Sequence, residues 1–358
     1  MTTPSGARVV VGMSGGVDSS LSAALLKDQG YDVIGMMLRL WSDTDTENRC
    51  CAPDAQQEAR YIAGLLDIPF YVIDARDQFF QSVVTPFIDG YAQGITPNPC
   101  LNCNRFVRWD FLLDRANTMG AEYLATGHYA RIQKSPTGSY QLYKNKDAGK
   151  DQTYFLHVLT QNNLRQTIFP LAELTKKQVR ELAEEYSLPV ANRPDSQDLC
   201  FVGQGDYRDF LRKSSPEIMK PGPILDLDGN ILGNHQGLAE VTIGQRKGLG
   251  ISSTEPYYVI RKDLSQNALI IGSRDYPGQQ EFYADNLNWI SGESPQNSFS
   301  ANVKIRYKSN EVPATITVTD SGSALIKLES PLPDITPGQA AVFYQDDLCL
   351  GGGIIRSN

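Results

Sequence analysis

Between an apolar run at residues 9–12 and a helical stretch carrying Leu21, Ala24 and Leu25 lies Ser14-Gly15-Gly16-Val17-Asp18-Ser19. Glycines at a strand-to-helix junction let the backbone approach an anion, while the helix N-terminus supplies amides and the positive end of its dipole. The loop is not a Walker A motif, because no Gly-Lys-Ser/Thr closes it. Nor does it contain the Gly-x-Gly-x-x-Gly of dinucleotide sites. A turn capped by Asp18 or Ser19 would need only one polar side chain. Two glycines with Ser14, Asp18, Ser19 and Ser20 exceed that need, so a phosphate site is expected.

The same strand, loop, helix rhythm recurs: a helix at 54–66 before a strand at 70–73, and a helix at 109–119 before a strand at 123–125. Such alternation implies an α/β fold with a doubly wound parallel sheet covered on both faces. Further helices are expected at 152–164 and 176–186. After Pro221-Gly222-Pro223 the texture turns to short apolar alternations, an Asp228-Gly229 turn and frequent glycines, which reads as β structure. The expected architecture is a catalytic domain at 1–205, a small central β domain at 206–278 and a C-terminal β barrel at 279–358. A chain of 358 residues has ample length for several cores.

Hydrophobic residues at 41% and charged residues at 21% are ordinary globular proportions. No apolar run approaches the length of a membrane span, and the first residues lack a secretory signal pattern, so a cytoplasmic protein is expected. A net charge of -8 argues against a globally basic nucleic-acid coat and leaves room for a local basic groove.

Six cysteines are too few for a disulfide scaffold and point to metal, redox or nucleophile roles. Cys100 and Cys103 stand three apart in Thr96-Pro97-Asn98-Pro99-Cys100-Leu101-Asn102-Cys103, and Cys200 follows Asp195-Ser196-Gln197-Asp198-Leu199. The prolines stiffen the first segment as a loop at a cleft. Cys200 taken alone reads as a small core residue beside Phe201. A zinc site would need a second Cys pair, which is absent. Thiol chemistry, ending in a disulfide, is a third reading. A fourth gives Cys100, Cys103 and Cys200 to an iron-sulfur cluster with one open iron. Cys50 and Cys51 read as loop thiols, and Cys349 as a barrel-strand residue.

The glycine loop resembles the pyrophosphate loop of the N-type ATP pyrophosphatases, which cleave ATP to leave an adenylated intermediate. Almost the whole chain is similar to the tRNA-specific 2-thiouridylase family. The likeness rests on Gly-Met-Ser-Gly-Gly-Val-Asp-Ser-Ser at 12–20, Thr-Pro-Asn-Pro at 96–99, Ala-Thr-Gly-His-Tyr at 125–129 and Lys-Asp-Gln-Thr-Tyr-Phe-Leu at 150–156. Gly-Gln-Arg-Lys-Gly-Leu-Gly at 244–250 and Leu-Gly-Gly-Gly-Ile-Ile at 350–355 extend it.

The resemblance implies ATP-dependent 2-thiolation of the wobble uridine of tRNA, with AMP and pyrophosphate as products. It implies ATP and magnesium at Gly12, Met13, Ser14, Gly15, Gly16, Val17, Asp18 and Ser19, with Leu38 and Gly127 also touching the nucleotide. Cys103 is implied as the nucleophile and Cys200 as the persulfide carrier, the two finishing as a disulfide. Contacts to tRNA are implied at His128, Lys150, Asp151, Gln152, Arg306, Tyr307 and Gln339. Implied partners are the anticodon loops of lysine, glutamate and glutamine tRNAs and a cysteine desulfurase or sulfur-relay protein. Where many family members carry Asp, this chain has Cys100, so that residue's role does not carry over.

Strand alternation at 303–308 would put Lys304, Arg306 and Lys308 on one basic face and Val303, Ile305 and Tyr307 on the other. Alternative functions are another adenylating synthetase of the same fold, amidating or sulfur-inserting, and an RNA-binding protein regulated by nucleotide.

Overall fold

A computed structural model of the chain describes residues 6–41, 53–194, 199–202, 205–319 and 322–357. Cys50, Cys51 and residues 195–198, singled out above, lie outside them. In the first domain the strands are β1 (Arg8–Gly12), β2 (Asp32–Arg39), β3 (Phe70–Asp74), β4 (Tyr123–Thr126), β5 (Ala130–Lys134), β6 (Tyr140–Lys144) and β7 (Thr167–Ile168). Five form a sheet in the order β3-β2-β1-β4-β7, every neighbouring pair parallel. Alternation along β1 explains why it must be central. Val9 and Val11 pack on the layer of helices α1 (Val17–Asp28) and α2 (Pro53–Leu65), whereas Val10 packs with Trp109, Leu112 and Ala116 on the opposite face. All three valines are fully buried, each contributing about 1.5–3 kcal/mol, which is how a strand buried on both faces holds a parallel sheet.

The helix expected at 109–119 begins ten residues earlier. Pro99–Asn102 is α-helical, Cys103–Leu112 continues as a π-helix and Leu113–Thr118 closes it. Its start is set by Asn98, whose side chain accepts from the Cys100 amide at 3.2 Å, and by Pro99, preset for a first turn. The proline segment expected as a loop is therefore half helix. The single helix expected at 152–164 is two, Thr153–Leu156 and Gln161–Arg165, because Thr160 and Asn163 form a capping box that starts the second.

The central domain holds β8 (Gly222–Leu225), β9 (Ile231–His235), β10 (Tyr258–Asp263) and β11 (Ala268–Gly272) in the order β10-β11-β8-β9. The Asp226 carboxylate turns the β8–β9 hairpin by accepting from the amides of Asp228 and Asn230. This domain meets the first at Lys262, whose ammonium lies 5.8 Å from the centre of the Tyr91 ring. Its Nζ is buried with no hydrogen-bond partner among the described residues. Burial pulls its pKa down to about 8.

The last six strands are β12 (Gln279–Trp289), β13 (Ser298–Lys304), β14 (Val312–Val318), β15 (Ala324–Leu332), β16 (Ala340–Gln345) and β17 (Leu348–Ile355). They run β12-β15-β14-β13-β16-β17 and close into a barrel through β12–β17 pairing around Phe282, Ile316, Ile326 and Phe343. The hairpin β5–β6 of the first domain adds to this sheet, with Cys349 of β17 opposite Leu142 of β6. Cys349 is buried, as expected of a barrel-strand cysteine.

The alternating strand expected at 303–308 stops at Lys304. A turn follows, in which the Arg306 amide donates to Ser309 Oγ and the Ser309 amide donates to the Arg306 carbonyl. Lys304, Arg306 and Lys308 therefore do not form one basic ridge.

Candidate active site

In an open parallel sheet, ligands sit beyond the carboxyl ends of strands where the chain reverses its direction of sheet growth. Here that point lies between β1, which leads to β2, and β4. Gly12 ends β1 and Gly127 follows β4. A Cβ on Gly127 would stand 2.8 Å from the Asp18 carbonyl carbon and 2.9 Å from the Ser19 nitrogen, so glycine here lets the end of β4 close on the first turn of α1. Gly15 holds a left-handed φ of +72°, and a Cβ there would meet the Ala55 carbonyl oxygen at 2.8 Å.

The loop's hydroxyls lace it internally. The Ser14 amide donates to Ser19 Oγ at 3.1 Å, and Ser20 Oγ donates to the Gly16 carbonyl at 2.9 Å. The N-cap of α1 is Gly16, with no side-chain cap, so neither Asp18 nor Ser19 serves as one. Helix amides left without a side-chain acceptor suit a phosphate.

Asp18 accepts from the Tyr129 hydroxyl at 2.6 Å and from Lys176 Nζ at 2.7 and 2.8 Å. Lys176 opens the helix Lys176–Glu185, held by a Thr175–Gln178 capping box. Arg193 Nη1 donates to the Gly15 carbonyl at 2.8 Å.

An open cleft of about 1350 Å³ runs from this loop. Its cations are Arg108, Lys150, Lys176, Arg193 and Lys308, against the carboxylates of Asp18 and Asp206. A positive cleft in a chain of net charge -8 draws anions to this face.

Of the sequence-predicted nucleotide residues, Gly12, Ser14, Gly16, Val17, Asp18, Ser19 and Gly127 line the cleft. Met13 faces the core, with its amide donating to the Met36 carbonyl and its sulfur against Gly35. Leu38 is half-buried near the end of β2.

Cys100 is exposed and lines the cleft. Cys103 and Cys200 are half-buried and pack against one aromatic cluster that includes Phe79, Phe87 and Phe201. The neighbours of Cys200, Leu199 and Val202, line the cleft. Among the described residues no three His, Cys, Asp or Glu side chains are grouped to hold a metal ion. Cys100 lines the cleft, while Cys103 and Cys200 pack against the apolar rings.

His128 lines the cleft with Nδ1 2.7 Å from Thr126 Oγ1 and its ring beside Trp109 and Phe169. Burial, helped by the Arg108 charge, pushes its pKa well below the usual imidazole value, so it is neutral. Lys150 and Gln152 line the cleft, but the Asp151 side chain is buried. It accepts from the Asn145 amide at 3.0 Å and Thr153 Oγ1 at 2.7 Å, and burial raises its pKa.

Tyr307 and Gln339 bring the barrel to the cleft. Arg306 instead ties the barrel to the central domain. Its Nη2 donates to the carbonyls of Ile243 at 2.7 Å and Asp334 at 3.0 Å, and to Thr336 Oγ1.

Cleft residues that escaped sequence reasoning include Arg108, Tyr129, Lys176, Arg193 and Asp206. Tyr129 sits within the Ala-Thr-Gly-His-Tyr motif. The Thr175-x-x-Gln178 box marks the helix start but not where Lys176 reaches.

An uncapped helix start at the switch point, opening on a cationic cleft roofed by a β barrel, defines a three-domain α/β protein of the nucleotide-loop class. Family models agree with each part. The tRNA methyl transferase HUP domain matches residues 7–204, the tRNA methyl transferase PRC-barrel domain 208–273 and the aminomethyltransferase beta-barrel domain 279–355. The tRNA-specific 2-thiouridylase MnmA of Chloroflexus aggregans is 46% identical over 352 residues, covering 98% of each chain. Those of Natranaerobius thermophilus, over 97% of each chain, and Moorella thermoacetica, over 97% of this chain and 99% of that one, are also 46% identical. The chain belongs to the tRNA-specific 2-thiouridylase family.

Proposed function

We propose that the protein is a tRNA-uridine 2-sulfurtransferase that thiolates the wobble uridine at the expense of ATP. The observation that carries this reading is the continuity of one cleft from the glycine loop, past Cys100, to Tyr307, Lys308 and Gln339 of the barrel. Such a cleft has room for nucleotide and an extruded base together. Residues 1–205 are the catalytic unit, 206–278 join it to the barrel, and 279–358 carry part of the tRNA surface.

In this reading ATP binds with its phosphates on the α1 amides and loop residues 12–19, with Gly127 also touching the nucleotide and the Leu38 backbone meeting adenine. Asp18 is the carboxylate that would hold magnesium, whose charge offsets that of the departing pyrophosphate. Lys176 and Arg193, already beside the loop, add positive charge there. Uridine O2 attacks the α phosphorus and pyrophosphate leaves. The terminal sulfur of a Cys200 persulfide then attacks C2 and expels AMP. The Cys103 thiolate attacks Cys200 Sγ, which breaks the S–S bond, leaves sulfur on C2 and forms a Cys103–Cys200 disulfide that a thiol reductant reopens. The apolar wall shared by both cysteines supports this pairing.

Lys150, Gln152, Tyr307, Lys308, Gln339 and neutral His128 are among the side chains available to RNA on the cleft wall. Asp151 and Arg306 act by shaping that wall. Substrates are the lysine, glutamate and glutamine tRNAs, and a cysteine desulfurase or relay protein loads Cys200. Among the described residues no helix is long and apolar enough to cross a membrane, and a cytoplasmic location is proposed.

The test is ATP-dependent transfer of labelled sulfur, from cysteine plus a desulfurase, into unmodified tRNA. Label on the wobble uridine with wild type, and none with Cys103→Ser or Cys200→Ser, is expected. AMP formation without tRNA thiolation would move the protein to another adenylating activity of the same fold.

A further inference from the structure

The segment that carries Cys100 and Cys103 is not anchored by its own domain alone. The Thr96 amide donates to the Pro337 carbonyl at 2.9 Å, and Gln339 Nε2 donates to the Thr96 carbonyl at 2.7 Å. Two bonds, one of them across 243 residues of sequence, thus pin both sides of Thr96 to the turn that enters β16. Gly338, between the two partners, has a φ of +90°, and a Cβ on it would stand 2.9 Å from the Thr96 carbonyl carbon and oxygen. On the other side, Pro97 packs so closely on Gly90 that a Cβ there would meet Pro97 Cγ at 2.8 Å. Two residues past Thr96, Asn98 caps the helix that bears Cys100 and leads into Cys103. The barrel turn, the Thr96 clamp, the Asn98 cap and the cysteines form one short mechanical chain.

We propose that Gln339 is a positioning residue, holding the Thr96 carbonyl so that the barrel fixes the start of the helix presenting Cys100 and Cys103 to the cleft. The proposal rests on the role given above to Cys103, and it adds a second duty to a residue expected only to touch tRNA. Its physical basis is that a carbonyl can be held by a side-chain amide but not by a carboxylate, so Gln339→Glu keeps the shape and removes the donor. Losing one neutral hydrogen bond changes a local opening equilibrium by roughly 2- to 10-fold.

Hydrogen–deuterium exchange of the full chain without tRNA, for wild type and Gln339→Glu, tests it. Exchange over residues 96–103 should quicken by about 2- to 10-fold while residues 340–355 keep their wild-type rates. Sulfur transfer should then show a lower kcat, beyond any rise in the KM for tRNA that the new carboxylate causes in Gln339→Glu. Gly338→Ala, which pushes the same turn away by steric overlap, should reproduce both changes and stands in if Gln339→Glu misfolds. Wild-type exchange at 96–103 in both variants overturns the proposal, with a raised KM alone then marking a simple RNA contact. Faster exchange throughout the barrel also overturns it, by assigning Gln339 to barrel stability. Full sulfur transfer by Cys103→Ser would refute the role of Cys103 and leave the exchange result standing.

Discussion

Replacing Lys262 by methionine should stabilise the protein. Its ammonium is buried at the junction of the central and catalytic domains with no hydrogen-bond partner among the described residues, and the face of Tyr91 offsets part of the loss of water. Burial takes its pKa from 10.5 to about 8, which corresponds to a cost of roughly 3 kcal/mol for the charged form. The cation–ring contact returns about 0.5–1 kcal/mol, which Lys262→Met forfeits while keeping the apolar stem. A net gain of about 2 kcal/mol at pH 7 is expected, or roughly 3 °C in the thermal midpoint of a chain this long. The sign with pH follows from proton counts. Below pH 8 the lysine is charged whether folded or unfolded, and the wild type bears the full cost. Between about 8 and 10.5 the folded chain has lost the proton that the unfolded chain still holds, so wild-type stability rises with pH and the advantage of the variant fades. Urea unfolding of both proteins at pH 7 and pH 10 measures this. Equal stability at pH 7, or an advantage as large at pH 10, would refute the reasoning.

Gly127→Ala should weaken ATP binding by about 5- to 150-fold, measured by calorimetry, because its methyl overlaps the Asp18 and Ser19 backbone where overpacking costs about 1–3 kcal/mol. Lys176→Met should also weaken ATP binding while leaving the circular dichroism spectrum intact; unchanged affinity would confine Lys176 to a structural pairing with Asp18. Burial lowers the pKa of His157 to about 4 and that of His128 well below 6.5. The unfolded chain therefore takes up these protons first, and stability should fall as pH drops from about 6.5 toward 4, a limb that His128→Gln makes shallower in acid unfolding curves. Asp151→Ala, which strips partners from the buried Asn145 amide and Thr153 hydroxyl, should cost about 1–3 kcal/mol in denaturant unfolding.

The glycine loop could be read from the sequence because its function is local: strand, glycines, helix and hydroxyls are contiguous, and the structure joins them as the pattern requires. Domain order was legible for the same reason, since helical and alternating periodicities change abruptly near Pro221. What escaped reading depends on distance. Lys176 looks like an ordinary surface lysine in a first helical turn until the fold carries it to Asp18, 158 residues away. Arg306 lies in a pattern that fits a solvated strand face, yet the chain turns at that point and its guanidinium is taken up by carbonyls of two other segments. Asp151 sits in a motif that suggests contact with RNA, and three donors of its own loop draw its carboxylate inward. The β5–β6 hairpin had a signal, alternation on both sides of Thr137-Gly138, but its partner strand is far along the chain.

That hairpin makes synthesis of the protein a matter of waiting. Arg131 reaches its ion-pair partner Asp347 across 216 residues, so at translation rates of about 5–20 residues per second the β6 edge is on the ribosome's far side for roughly 10–40 s before β17 exists to cover it. Lys134 and Lys144, at the ends of the two strands, place charge along an edge that would otherwise invite pairing with another chain. A chain cut between the catalytic and barrel halves would make that interval permanent, and it would also split the core in which Val10, Trp109 and Leu142 cluster with Ala340, Tyr344 and Cys349.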